Sequence, residues 1–102
     1  VDDVRESPAL KVWDQLEAKG ADVIYHDPYC KSAKRKDRIF RSHALDEELL
    51  KNVDAVVVTT AHTRGVDYRM VVEAAPLVFD TKNIVTKATG INPASYPGLH
   101  IL

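Results

Sequence analysis

Apolar positions along this chain follow two different spacings, and the change from one to the other marks the elements. Ala9, Val12, Trp13 and Leu16 recur at i, i+3, i+4 and i+7, the period of an amphipathic helix, leaving Lys11, Asp14, Gln15 and Lys19 to face water. Ser7 before Pro8 reads as an N-cap and first helical position, because the hydroxyl can accept an orphan N–H and proline has none to lose. Gly20 supplies the left-handed residue that ends such a helix. Residues 21–25, ADVIY, are then a short β-rich run that Asp27-Pro28 closes.

The pattern repeats downstream. Asp46 caps a short helix over residues 47–52, with Glu47 and Glu48 at its positive end and Lys51 at its negative end. Residues 54–60, DAVVVTT, are continuous rather than alternating, as in a parallel strand covered on both faces, and are expected to be the most buried element. Asp67 caps a third helix that Pro76 stops, with Met70, Val71 and Ala74 on its apolar side. Residues 77–80 are a short strand, residues 84–98 an irregular connection, and residues 98–102 a final strand. The order α-β-α-β-α-β-loop-β, with no repeat and no internal linker, describes a doubly wound, Rossmann-like α/β/α three-layer domain with a mostly parallel sheet.

A helix that feeds a parallel strand requires a strand before it as well. Residues 1–7 are too polar and too short, so the chain reads as a fragment whose domain begins one strand earlier. A complete domain that starts on a helix is the alternative. The missing strand predicts instability, swapping or dimerisation.

Length, 102 residues, allows one core, and the composition (45% apolar, 28% charged) is that of an ordinary globular domain. A net charge of −1 offers no general attraction to nucleic acid or to an anionic membrane. No apolar run nears the roughly 20 residues of a spanning helix, which makes the cytoplasm the expected location. The one basic cluster, residues 31–41, KSAKRKDRIFR, reads as a solvated loop; phosphate or nucleic-acid binding is the competing reading, testable by its salt dependence. Cys30 has no spaced partners for a disulfide or a metal, and is either an inert thiol or a nucleophile favoured by Lys31.

No complete catalytic set is present, and neither a Gly-x-Gly-x-x-Gly turn nor a Walker loop occurs. Ligands of open α/β sheets gather at the carboxyl ends of the strands. His62, with Thr59 and Thr60, stands at one such end, either as a ligand contact or as a structural hydrogen-bonder. Asp27 stands at another, either as a ribose acceptor or as a turn residue.

DDVRESPAL, YHDPY, LKNVDAVVVTTAH, VDY and LVFDTKN stand in order along nearly the whole chain. Together they resemble the C-terminal, UDP-binding domain of the UDP-glucose/GDP-mannose dehydrogenase family. The resemblance implies that residues 1–102 are a single UDP-sugar-binding domain of a larger enzyme, following a Gly-x-Ala-(Phe/Tyr)-Lys strand upstream of Val1. It implies that Arg5, in the D-x-R-E-S motif, reaches the NAD diphosphate held mainly by another domain; pairing with Asp2, Asp3 or Glu6 is the alternative. It places Lys82 where the family carries a substrate-binding arginine, keeping the charge but losing the bidentate fork, and Asn83 matches the same motif, as a substrate contact or as a structural turn residue. His62 joins them as a candidate substrate contact on its place at the strand end. The catalytic cysteine lies outside this domain, so the fragment alone should not turn over substrate.

The implied reaction is a two-step NAD-dependent oxidation of a UDP-sugar C6 alcohol to a carboxylate, through a thiohemiacetal and a thioester, in nucleotide-sugar metabolism and polysaccharide biosynthesis. The wording looks closest to UDP-N-acetylglucosamine 6-dehydrogenases, with UDP-glucose as the next substrate. Members of the family are usually dimers or larger. A non-catalytic Rossmann-like module binding a nucleotide or a protein is the rival reading.

Overall fold

The computed structural model describes residues 8–35, 37–62 and 64–102, for Pro8 and Arg35 the backbone alone. Contacts gather the chain into two compact units, residues 1–44 and 45–102. The expected Ser7 cap lies outside the described residues.

In the first unit, helix α1 (Pro8–Ala18) takes the predicted register, with Trp13 buried and Lys11, Asp14, Gln15 and Lys19 exposed. Leu10, not part of the predicted stripe, is buried as well. The helix ends as expected at Gly20, φ 93°. The Gly20 N–H donates to Glu17 O and the Ala21 N–H to Leu16 O, the paired bonds of a Schellman stop. Trp13 packs against Tyr25 (5.7 Å between centroids) and edge-on to Phe40 (4.9 Å), an aromatic cluster in place of an aliphatic core.

Two expectations fail in this unit. Residues 21–25 form no strand. β-Propensity alone makes no ladder without a neighbouring edge, and a single bond, His43 N–H to Tyr25 O (2.8 Å), ties this stretch to residue 43. The basic segment is not a loop but an antiparallel hairpin, β1 (Ser32–Arg35) with β2 (Arg38–Arg41). Ala33 pairs with Phe40, so this cross-strand pair supplies an apolar inner face while Lys34, Ile39 and Arg41 are exposed. The Arg38 guanidinium lies 4.6 Å from the centre of the Phe40 ring, which shields the ring's open side.

In the second unit, α2 (Glu47–Asn52) and α3 (Tyr68–Ala74) begin where predicted, with Asp46 Oδ1 accepting from Leu49 N–H and Asp67 Oδ1 from Met70 N–H. Strands β3 (Val56–Val58), β4 (Val78–Asp80) and β5 (Leu99–Ile101) form one sheet in the order β3-β4-β5, all parallel, with Val56 opposite Val78 and Val78 opposite Leu99. Helix α3 packs on α2 and on α4 (Ile84–Thr89). Leu50, Val58, Tyr68, Val71, Val72, Val78, Ile84, Val85, Ile91 and Leu99 make one continuous core. This is a small Rossmann-like α/β fold.

The most buried strand is β4, not β3. Val78 and Asp80 are almost fully enclosed, whereas Val56 and Val57 are only half-buried. The reason is position: β4 is the central strand of the three, and β3 borders it on one side.

Residues 84–98 are also more regular than expected, holding α4 and a 3₁₀ turn at Pro93–Ser95. Helix α4 is rich in β-branched residues and has no side-chain cap at Asn83, so local propensity does not announce it. Gly90, φ 73°, ends it. Gly98 has a steric role: a Cβ there would stand 2.7 Å from the carbonyl oxygen of Pro76, where Val78 N–H also bonds to Gly98 O (2.8 Å).

Candidate functional site

Parallel strands send their carboxyl ends to one edge of a sheet, and the loops that leave that edge are where a ligand meets backbone N–H groups and side chains. Here that edge carries the described residues 59–62 and 64–67 after β3 and the loop of residues 81–83 after β4. Three side chains organise it.

Asp80, the last residue of β4, is 0% exposed. Its Oδ1 accepts the N–H of Lys82 (3.0 Å) and its Oδ2 the N–H of Val85 (2.9 Å). A carboxylate this deep is costly unless hydrogen-bonded, and here both oxygens are spent on the turn that follows it. Thr81 adds a second tie: its N–H (3.1 Å) and its hydroxyl (2.6 Å) both donate to Val58 O, lashing the loop after β4 to the end of β3. Tyr68, at the start of α3, is buried, and its hydroxyl accepts the N–H of His62 (3.0 Å), fixing the loop after β3. Burial holds the Tyr68 phenol above its ordinary pKa of 10.0; the His62 N–H pulls the other way, and the negative charge of Asp80 adds to the rise.

Lys82 and Asn83 sit on this scaffold with exposed side chains. Asn83 adopts the left-handed region (φ 54°, ψ 37°), which asparagine tolerates better than most residues, and its side chain makes no capping bond. Of the residues singled out in the sequence, the structure therefore places Lys82 and Asn83 together, on a loop tied directly to β3. His62 lies on the neighbouring loop, half-buried and held by Tyr68. Arg5 lies outside the described residues.

The remaining candidates, Asp27 and Cys30, are engaged in local bonds. Asp27 Oδ1 accepts the N–H groups of Tyr29 (2.8 Å) and Cys30 (3.1 Å), an Asx turn, while its own N–H donates to Ser42 Oγ (2.9 Å). Cys30 is buried, and its thiol donates to Ser32 O (3.2 Å). His26 Nδ1 donates to His43 O (2.7 Å), which pins the same turn to residue 43. Among the described residues no three His, Cys, Asp or Glu side chains gather as a metal site, and no helix is long and apolar enough to cross a membrane.

The family model for the UDP-binding domain of the UDP-glucose/GDP-mannose dehydrogenase family matches residues 1–87. The chain belongs to this family. The matched span runs through α3, β4 and the Lys82-Asn83 loop, so the carboxyl edge described above is part of the UDP-binding domain itself. A curated relative, the UDP-N-acetyl-D-mannosamine dehydrogenase of Methanococcus vannielii, is 33% identical over 92 residues, covering 83% of this chain and 20% of that protein. The chain thus spans about a fifth of that relative's length. No solved structure matches the chain.

Sequence reasoning singled out Lys82, Asn83 and His62 and passed over the supports of the edge, buried Asp80 and Tyr68 and half-buried Thr81. All three lie inside VDY and LVFDTKN. The signal available was an acid ending an apolar strand just before a helix with no cap of its own.

Proposed function

We propose that this UDP-binding domain, spanning residues 1–102, holds the nucleotide sugar in an NAD-dependent nucleotide-sugar 6-dehydrogenase that oxidises the C6 alcohol of a UDP-N-acetylhexosamine to a carboxylate. What best supports the reading is that the family match includes an exposed Lys82-Asn83 loop built rigidly onto the carboxyl edge of the sheet. The Lys82 ammonium offers a point charge to the anionic nucleotide, and Asn83 offers amide donors and an acceptor to sugar hydroxyls. His62 borders the same edge on the loop that Tyr68 holds.

Each oxidation step removes a hydride, and NAD, when bound, supplies the acceptor. The contribution of this chain to that cofactor is Arg5, a planar donor suited to a diphosphate; the remainder of the parent dehydrogenase holds most of it. Conversion of an alcohol to a carboxylate consumes one water and two NAD, and releases two NADH.

The DTKN and VVVTTAH wording resembles the branch acting on UDP-N-acetylhexosamines, which makes UDP-N-acetylglucosamine the preferred substrate, with UDP-glucose as the non-acetylated alternative. The name of the M. vannielii relative favours a second reading, UDP-N-acetylmannosamine. The test is NADH formation by the full-length parent, with UDP-N-acetylglucosamine, UDP-N-acetylmannosamine, UDP-N-acetylgalactosamine, UDP-glucose and GDP-mannose offered separately. Two NADH per sugar with an acetylated UDP-hexosamine is the expected result. No NADH with any of them, from a folded parent, would leave a non-catalytic binding module as the better description.

A further inference from the structure

The Lys82-Asn83 loop holds a conformation that its own residues do not enforce. Asn83 is left-handed without a side-chain bond to keep it there, and α4 begins immediately after it with no local cap. What closes this turn is supplied from below, by the buried Asp80 carboxylate bridging Lys82 N–H and Val85 N–H, and from beside, by the Thr81 hydroxyl on Val58 O. The two N–H groups flank Asn83 in the chain, so one carboxylate fixes both ends of the segment that carries the exposed side chains.

We propose that Asp80 and Thr81 are positioning residues for the nucleotide sugar: they set the Lys82 backbone where its ammonium meets the substrate, without touching the substrate themselves. The proposal rests on the reading above in which Lys82 contacts the UDP-sugar. It explains why a carboxylate occupies a fully enclosed place in a core otherwise formed by aliphatic side chains and one tyrosine. An apolar residue of like size would leave two N–H groups unbonded, and asparagine would turn a donor NH₂ toward one of them.

The experiment is a mutant cycle in the full-length parent dehydrogenase, read as KM for the UDP-sugar, KM for NAD and kcat. The variants are Lys82→Ala, Asp80→Asn and Thr81→Val, and the latter two combined with Lys82→Ala. Lys82→Ala should raise the UDP-sugar KM about tenfold, the worth of one charged hydrogen bond. Asp80→Asn should raise it by a similar factor and Thr81→Val by a smaller one, with the NAD KM unchanged. In either double variant, the second substitution should add less than about twofold, because a misplaced lysine and an absent one cost the same contact.

Factors that multiply in the double variants would overturn the positioning role, as would an unchanged UDP-sugar KM for Asp80→Asn and Thr81→Val beside a raised one for Lys82→Ala; both results leave the reading of Lys82 intact. An unchanged KM for Lys82→Ala removes that reading, and the proposal with it. If Asp80→Asn does not fold, Thr81→Val, an isosteric change at a partly buried site, decides alone.

Discussion

The two units hold their loops in different ways. In residues 1–44, the turn at Asp27 is closed by its own carboxylate and held besides by neighbours far along the chain: Ser42 on Asp27, His43 on Tyr25 and on His26. Trp13 is the hub, with Tyr25 and Phe40 on its ring. In residues 45–102, the loops are held from beneath by groups at the ends of regular elements, Asp80 from β4 and Tyr68 from α3, over an aliphatic core. A loop held from beneath keeps its exposed face free, and that is where Lys82 and Asn83 stand.

This contrast predicts where damage spreads. The largest effect is expected from Trp13→Ala, which removes the hub of the first unit and should cost about 3–5 kcal/mol there. Amide hydrogen exchange should show the loss across α1 and the β1-β2 hairpin while β4 keeps its protection. Equal loss of protection in β4 would show that the two units unfold as one.

Gly98→Ala should follow, at about 1–3 kcal/mol, because its methyl would meet the Pro76 carbonyl and part β5 from β4. Denaturant melts with exchange read at β5 would check it; an unchanged midpoint would mean that the backbone there yields freely. Next come the caps. Asp46→Ala and Asp67→Ala should each cost about 1 kcal/mol, the usual worth of an N-cap carboxylate bonded to the third residue of its helix. A loss below a few tenths of a kcal/mol would assign those helices to packing alone.

How much of this was readable beforehand follows the same division. In the second unit the caps at Asp46 and Asp67 and the β-branched runs are local features, and α2, α3, β3, β4 and β5 stand where such signals put them. Helix α4 escaped because its cap comes from Asp80, five residues before the N–H it bonds and outside the usual capping window. In the first unit, residues 21–25 have the composition of a strand but no ladder partner, and the hairpin of residues 32–41 hides its inward pair, Ala33 and Phe40, among charges. Both depend on contacts made at long range. The candidates Lys82 and Asn83 were legible as motif positions, whereas the bonds through which Asp80, Thr81 and Tyr68 hold the edge appear in the fold.

The smallest effect separates the units by pH. Burial raises the phenol of Tyr25 in the first unit, with the Cys30 thiol and Asp27 adding to the rise and Arg41 opposing it; burial raises Tyr68 in the second. A tyrosine whose folded pKa lies above its unfolded value of 10.0 favours the folded state while neutral. That contribution is complete below about pH 10 and is lost as the pH rises through the folded pKa. Tyr68→Phe should therefore flatten the alkaline loss of stability in β3 and β4 while Tyr25→Phe flattens it around α1, as read by exchange or melting. Identical alkaline profiles for both variants and the parent chain would remove the assignment.

The central claim is that the exposed loop held by Asp80 is where the nucleotide sugar is bound. Its most direct test is calorimetric titration of the full-length parent with UDP-N-acetylglucosamine and, separately, with UDP-N-acetylmannosamine, for the natural protein and for Lys82→Ala. The account predicts binding of at least one of these that weakens about tenfold in the variant, the loss of a single charged contact. Equal affinity in the two proteins would contradict it and move the site away from the carboxyl end of β4.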